Sequence, residues 1–299
     1  MGKEAVQNRA FYLLNHTELQ EQIKDQLSAS ELSAKPVTYP RILRIKIEID
    51  TIHPLSWLGI QKSDYKIYWQ SRDKSFEIAG VGKGYLLTGA NQEEIDTQFH
   101  KVHRLMADND RIHFLGGIRF DPLSPSSGEW HNFSSYYFFL PRFEIRRENN
   151  NHFLAYNLFL SKKDDLRRLK NELLNTLPSL FVNDREAKTF SPKYITRHDN
   201  PNRQDWVRNV HSALNAFGAG LLKKVVLARM TTFTLQQPVD AVRLMQMLEQ
   251  PGPNTFLFLF QFGQQSIFPD SSPERLYNRK RCELMPLKFL QKNRKANFR

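Results

Sequence analysis

The sequence predicts an α+β fold with large antiparallel β-sheets and helices packed outside them. Strand-like segments follow one another with few strand–helix–strand alternations, which is typical of antiparallel rather than parallel sheets. The 299 residues are 40% apolar and 25% charged, the composition of an ordinary globular protein. No window approaches the length of uncharged apolar sequence that a membrane-spanning helix needs, so we predict no membrane association.

The first elements are predicted to be a helix and a strand. Residues 1–35 carry leucine and isoleucine at helical spacing among polar residues, and two prolines follow the pattern and end the helix. Residues 41–50 alternate isoleucine with charged residues, so they predict a strand with one solvated face.

The following elements are predicted from the periodicity of apolar residues and from turn residues. Gly116-Gly117 inside a strand pattern predicts a bulge or a close backbone approach, and Asn149–Asn151 predicts the turn of a hairpin. In chain order we predict a helical turn at 54–58, strands at 66–70 and 76–81, a helix at 93–107, strands at 112–121 and 130–144, hairpin strands at 143–147 and 152–160, a helix at 163–177, a polar connection at 180–202, helices at 206–217 and 239–249, and an apolar strand at 254–262.

The functional prediction depends on the stretch Leu221–Arg229. Val225–Ala228 is apolar and partly β-branched and follows two glycines, so it predicts a buried strand entered from a glycine-containing turn. A lysine at the mouth of a buried strand is costly to desolvate, and this cost can make its amine a usable base. From spacing alone, however, two solvated loop lysines are the simpler interpretation of Lys223 and Lys224.

The formal net charge of +12 is concentrated at the C-terminal end. Residues 277–299 contain eight lysines and arginines and one glutamate, whereas the rest of the chain is mildly basic. A mildly basic body suits an enzyme that attracts a dianionic metabolite. The basic tail has few aromatic residues and no recognised binding fold, so a non-catalytic basic binding protein acting on nucleic acid is only the alternative of another class.

Other patterns exclude several kinds of site. Cys282 is the single cysteine, which excludes an internal disulfide and a cysteine-based zinc site, and the nine histidines show no metal-binding spacing. Gly82-Lys83-Gly84 lacks the pattern of a phosphate loop. The N-terminus lacks the apolar core of a secretory signal, so we expect a cytoplasmic protein.

A second informative stretch is Ser271–Leu276, with the sequence SSPERL. Its local pattern predicts a helix N-cap and first turn that contains Glu274. Together with LLKKVVLAR at 221–229, it resembles the chorismate-utilising enzymes of menaquinone, siderophore and tryptophan synthesis. The resemblance is closest to the menaquinone-type isochorismate synthases. Supporting stretches lie at 55–73, 114–122 and 138–147.

The resemblance implies the chorismate-utilising enzyme fold and extends over nearly all of residues 50–285. It places the N-terminal half of that fold at residues 1–190 and the start of the chorismate-binding catalytic region at 191–285. It also implies chorismate as the small-molecule substrate, Mg²⁺ as the cofactor and, in our expectation, a monomer that binds neither nucleic acid nor a membrane.

The resemblance further implies that Lys224 activates the attacking water and that Glu274 protonates the departing hydroxyl. Chorismate and isochorismate differ by the move of a hydroxyl from C4 to C2 with allylic rearrangement. One group must therefore take a proton from water while another gives a proton to the C4 hydroxyl. A lysine at position 224 favours water over ammonia as the nucleophile.

The chain departs from the family pattern after Met285. Members of the family continue with a TEALAGT-like segment and a long portion that carries the Mg²⁺-binding glutamates, whereas residues 286–299 form an aberrant basic tail. We therefore predict no metal ligands and no cofactor-binding residues in this chain, and a fold that is incomplete at the C-terminus. We infer a frameshift near Met285 and expect a truncated, unstable and inactive product. A salicylate or siderophore-type isochorismate synthase is the alternative within the class.

Overall fold

The computed structural model describes eleven stretches of the chain and divides it into two compact units. Unit 1 comprises Met1–Glu186 and Ala241–Arg299, and unit 2 comprises Ala187–Asp240. None of the described helices is long and apolar enough to cross a membrane. The described residues are 21–26, 40–90, 94–106, 112–121, 128–130, 132–181, 193–249, 254–263, 266–275, 277–280 and 283–286.

The described part of the chain contains twelve strands and five numbered helices. The strands are β1 (Arg41–Ile49), β2 (Tyr65–Gln70), β3 (Phe76–Gly89), β4 (Leu115–Ile118), β5 (Tyr136–Glu148), β6 (Asn151–Leu160), β7 (Tyr194–Asn200), β8 (Met230–Leu235), β9 (Phe256–Phe262), β10 (Ile267–Ser272), β11 (Tyr277–Lys280) and β12 (Glu283–Pro286). The helices are α1 (Pro54–Ile60), α2 (Ile95–Met106), α3 (Leu166–Thr176), α4 (Arg203–Gly218) and α5 (Ala241–Leu248), with short 3-10 turns at Gly128–Trp130 and Leu177–Leu180.

Unit 1 is built on an eight-stranded antiparallel sheet, which confirms the predicted α+β class. The strand order is β1-β6-β5-β3-β2-β9-β10, and β4 pairs with the first part of β5. β5 and β6 form the predicted hairpin, whose turn places Asn149 at φ 55°. β3 is longer than predicted because it continues through Gly82, which has φ 70°, and past an irregularity between Lys83 and Tyr85.

Helices cover one face of this sheet and form the main core. Trp57 of α1, Leu173 of α3 and Met245 of α5 belong to one buried cluster with residues of β1, β5 and β9, including Leu259. Side chains alternate between the faces of a strand, so Leu257 and Leu259 point to the helices whereas Phe258, Phe260 and Phe262 point away. Of the predicted N-terminal helix, only residues 21–26 are described; they are helical, and Ile23 joins this core.

The opposite face carries a buried network of charges, so the predicted solvated face of β1 is wrong at Arg44 and Lys46. The Arg44 side chain is 2% exposed and forms an ion pair with Glu144, which also accepts a hydrogen bond from Arg146 at 2.8 Å. Burial alone would raise the pKa of Glu144, but the two guanidinium groups hold it below its ordinary value. The opposite charges come from β5, which lies on the far side of β6, and the alternation of β1 could not reveal them.

Unit 2 consists of the β7–β8 antiparallel pair and α4. The sequence predicted a polar connection at 180–202, and β7 shows that part of it is a strand; residues 182–192 lie outside the described residues. α4 confirms the helix predicted at 206–217 and begins at Asn202, whose side chain accepts a hydrogen bond from the backbone of Asp205 at 3.0 Å.

Replacing the buried carboxylate should destabilise the sheet. In a Glu144→Gln variant, Arg44 and Arg146 lose the buried carboxylate that they share, and only Arg146 keeps a second partner in Glu148, so the free energy of unfolding should fall by about 3 kcal/mol in urea titrations. As a control, Glu172→Gln removes only an exposed pair with Arg168 and should change stability by less than about 0.5 kcal/mol. Equal effects of the two changes would show that the buried network does not stabilise the fold.

Candidate functional site

Lys224 lies in unit 2, in an exposed stretch between α4 and β8. The glycine turn before it is confirmed, since Gly220 has φ 73° and the backbone N–H of Leu221 donates to Ala216 at 2.9 Å. The predicted buried strand at Val225–Ala228 is wrong: these residues form no strand, and Val226 is 80% exposed.

The reason lies in the register of the β7–β8 pair. Asn200, the last residue of β7, pairs with Met230, the first residue of β8. The chain before Met230 therefore extends past the end of β7 and has no neighbouring strand among the described residues of the unit. An apolar segment forms a strand only where a partner accepts its backbone hydrogen bonds.

Glu274 lies in unit 1, directly after β10. The predicted helix start at 271–276 is wrong, because β10 continues through Ser272 and is followed by β11. The backbone N–H of Glu274 donates to the hydroxyl of Ser272 at 3.3 Å, a local turn that leaves the carboxylate exposed. The next residue, Arg275, stacks over the ring of Phe256 at 4.8 Å.

Lys224 and Glu274 thus belong to different compact units. Both are exposed, and neither lies inside a helix or a strand. Their joint role as base and acid stays a prediction.

An aromatic groove of about 750 Å³ lies on the face of the unit 1 sheet that the phenylalanines of β9 share. Its floor comes from Trp69 of β2 and alternate residues of β9, and its wall from β10, β4 and the segment that leads into β5. The rings contact one another closely: Tyr137 stacks on Phe262 with centroids 3.8 Å apart, and Trp130 meets Phe268 edge-on at 5.3 Å. Burial raises the pKa of Tyr137 to about 12, so its phenol stays neutral at physiological pH.

The wall of this groove depends on Gly116. A Cβ at Gly116 would lie 1.9 Å from the carbonyl oxygen of Tyr137, whereas a Cβ at Gly117 would meet nothing within 4 Å. The predicted close backbone approach is therefore confirmed, and it is specific to the first glycine. The groove itself was not predicted, since its residues come from five separate segments of the sequence.

A polar cluster lies on the helical face of β2 and β3, opposite the groove. The hydroxyl of Tyr68 donates to Glu77 at 2.8 Å, and Arg147 donates to the same carboxylate at 2.6 Å. Gln70 donates to Glu249 at 3.2 Å, and His53 Nε2 lies 3.4 Å from the same oxygen. Sequence spacing gave no sign of this cluster, because its members come from three strands and the ends of two helices.

The groups of this cluster shift one another's pKa values. The hydrogen bond with Glu249 raises the pKa of His53 above its ordinary value, in spite of partial burial. Burial would raise the pKa of Glu249, but the bond with His53 holds it below its ordinary value. Burial and the Glu77 carboxylate raise the pKa of Tyr68. The cluster is a set of paired groups that joins α1, α5 and the sheet.

The cluster does not fit the Mg²⁺ that the resemblance implies. Ligand atoms of His53, Glu77 and Glu249 lie within 4.8 Å of one another. Mg²⁺ prefers oxygen ligands in octahedral geometry, and here one donor is an imidazole nitrogen while the Glu77 carboxylate is occupied by Arg147 and Tyr68. We assign no described residue to a magnesium site.

Known proteins are similar to most of this chain. A family model described as chorismate binding enzyme matches residues 26–286. The chain is 30% identical over 236 residues to the isochorismate synthase MenF of Escherichia coli, with 77% of this chain and 49% of that protein covered. It is 22% identical over 264 residues to the MenF of Bacillus subtilis, with 82% and 55% covered.

A solved structure agrees with these relatives. The chain is similar to the menaquinone-specific isochorismate synthase of Escherichia coli, with a TM-score of 0.64 and 25% identity, over 87% of this chain and 57% of that one. The chain spans about half the length of the curated relatives that it matches.

The two glycines of β4 give a matched pair of variants. Gly116→Ala forces β4 away from β5, so it should lower the free energy of unfolding by about 1–3 kcal/mol. Gly117→Ala should change the free energy of unfolding by less than about 0.5 kcal/mol. Urea unfolding followed by tryptophan fluorescence measures both, and a Gly117 effect as large as the Gly116 effect would contradict the proposed packing.

The His53–Glu249 contact should make stability depend on pH. The folded-state pKa of His53 is raised, so its contribution is fully present below the unfolded-state pKa of about 6.5 and is lost as pH rises through the folded value. A His53→Gln variant should therefore lose more stability at pH 6 than at pH 8.5. In a chain that already carries Glu249→Gln, His53→Gln should lower the free energy of unfolding equally at pH 6 and pH 8.5. A pH-independent effect of His53→Gln would argue against the contact.

Proposed function

The chain belongs to the chorismate-binding enzyme family, and on this premise we propose that it provides the acid and the base of an isochorismate synthase of menaquinone synthesis. The observation that supports the proposal is that one family match, over residues 26–286, includes both Lys224, in LLKKVVLAR, and Glu274, in SSPERL. The names of the relatives favour the menaquinone pathway over a siderophore or salicylate pathway.

The proposed reaction adds water to chorismate at C2 and removes the hydroxyl at C4. Lys224 takes a proton from the attacking water, the two ring double bonds shift, and the C4–oxygen bond breaks as Glu274 gives its proton to the leaving hydroxyl. One water enters and one water leaves, so the product is an isomer of the substrate. The reaction therefore needs a basic side chain near C2 of the ring and an acidic side chain near the hydroxyl at C4.

The roles also define what the site must provide. A lysine serves as a base near neutral pH only where burial or a neighbouring positive charge favours its neutral form. A carboxylic acid likewise stays protonated only in an apolar or negatively charged setting. Lys224 and Glu274 are both exposed in this structure, so a working site requires that additional groups cover them.

Several finer points stay predictions. The dependence on Mg²⁺ follows from the family resemblance, and no step of the proposed reaction is assigned to the ion. Cytoplasmic location and a monomeric state are likewise expected from the sequence alone.

Removal of either proposed group should abolish turnover. With the chain co-produced with the part of the Escherichia coli enzyme that it does not match, Lys224→Ala and Glu274→Gln should each lower kcat by about 100- to 10,000-fold, because proton transfer at one position is lost. Isochorismate formation is measured by chromatography. Lys223→Ala is the matched control and should stay within about threefold of the unaltered chain. If Lys223→Ala is as damaging as Lys224→Ala, the assignment of the base is wrong.

A further inference from the structure

The turn that contains Glu274 is attached to the sheet on its N-terminal side. Ser272, the last residue of β10, pairs with Phe256, the first residue of β9. The hydroxyl of the preceding Ser271 donates to the hydroxyl of Thr255 on β9's side of the pair at 3.0 Å. The hydroxyl of Ser272 accepts a hydrogen bond from the backbone N–H of Glu274 at 3.3 Å. Strand pairing therefore fixes the chain up to Ser272, and one hydrogen bond connects the turn to it.

Arg275 attaches the same turn on its C-terminal side. Each strand residue rises by about 3.3 Å, so an extended chain would carry the backbone of Arg275 about 10 Å past Ser272. The long side chain of Arg275 nevertheless lies over the ring of Phe256, with Cζ 4.8 Å from the ring centroid. A cation over an aromatic face is attracted by the negative charge of the π system, and the attraction is stronger where the pair is partly buried. Glu274 thus lies between two attachments that end on one residue pair of the sheet.

Phe256 is itself fixed by its neighbours. It is 6% exposed, and its ring lies 5.9 Å from the ring of Trp69. A second guanidinium, that of Arg72, lies 5.9 Å from the same ring and donates to the backbone carbonyl of Asn254 at 3.0 Å. β9 lies between β2 and β10 in the sheet. The sheet, and not the turn, therefore sets where the guanidinium of Arg275 lies.

The contact with Phe256 also directs Arg275 away from the residue before it. Among the residues that the structure describes, no carboxylate, including that of Glu274, forms an ion pair with Arg275. A general acid must be protonated before it can donate, and an ion pair with a guanidinium favours the ionised carboxylate. Stacking on the ring keeps this positive charge out of contact with the proposed acid.

We propose that Arg275 is a positioning residue, which fixes the turn around Glu274 through its contact with Phe256. This inference rests on the proposed function, since it names the residue that orients the proposed acid. Arg275 follows Glu274 directly in the chain, so loss of the ring contact frees the backbone of the acid itself. A misplaced acid impairs proton transfer rather than substrate binding, so the contact affects kcat and leaves KM unchanged.

Hydrogen–deuterium exchange on the full chain tests the attachment without reference to activity. Arg275→Ala should speed exchange of the Glu274 amide at least about threefold, because the hydrogen bond to Ser272 is no longer held from the other side. Arg275→Lys keeps a cation that can lie over the ring and should restore most of the protection. Arg72→Ala is the matched control: it removes the other guanidinium over Phe256 and the same charge, but should leave the exchange of this amide unchanged.

Turnover by the co-produced enzyme tests the role of the contact. Arg275→Ala should lower kcat about 10- to 100-fold, with KM within about twofold of the unaltered chain. Arg275→Lys should recover most of this loss, and Arg72→Ala should stay within about threefold of the unaltered chain. In a chain that already carries Phe256→Leu, Arg275→Ala should lower kcat no further, because both changes remove the same contact.

The other outcomes separate the two claims. Unchanged exchange at Glu274 in Arg275→Ala overturns the proposal, because the ring contact then does not hold the turn. Faster exchange with an unchanged kcat also overturns it, provided that Glu274→Gln inactivates the same enzyme. A raised KM with an unchanged kcat would mean that Arg275 binds the substrate instead. Faster exchange in an enzyme that keeps full turnover with Glu274→Gln would contradict the proposed function and leave the ring contact standing.

Discussion

A β-strand is stable only where its backbone groups are hydrogen-bonded and its apolar side chains are covered. On the helical face of the unit 1 sheet both conditions hold, since α1, α3 and α5 bury the alternate residues of β1, β5 and β9. On the other face the phenylalanines of β9 line an open groove. In unit 2 Val225 and Val226 are exposed and lie in no strand. The same constraint thus explains which predicted strands form and which one does not.

On the face of the sheet opposite the helices, ion pairs between buried side chains determine how β1, β5 and β6 align. Glu144 is fully buried between Arg44 and Arg146, so β1, β5 and β6 can adopt only a register that brings these three groups together. Such a network contributes little net stability compared with an apolar core, but removing one member leaves an uncompensated charge. The cluster around Glu77 and Glu249 connects the helices to the face of β2 and β3 that they cover.

The sequence was informative where a local pattern is sufficient. α4 and α5 follow from helical periodicity, the β5–β6 hairpin from Asn149–Asn151, and the close approach at Gly116 from a glycine pair inside a strand. The buried charges of β1 could not be predicted, because their partners lie about a hundred residues away in the chain. The strand expected at Val225–Ala228 is absent for a related reason: its composition is that of a strand, but no described strand of unit 2 lies beside it.

The central claim is that Lys224 directs water to C2 of chorismate. Turnover in ¹⁸O-labelled water by the co-produced enzyme tests it most directly, because the new hydroxyl must come from the solvent. The account predicts isochorismate with one labelled oxygen, at the C2 hydroxyl, and none from the Lys224→Ala variant. Unlabelled isochorismate would mean that the hydroxyl migrates without added water, and labelled product from Lys224→Ala would mean that another group is the base.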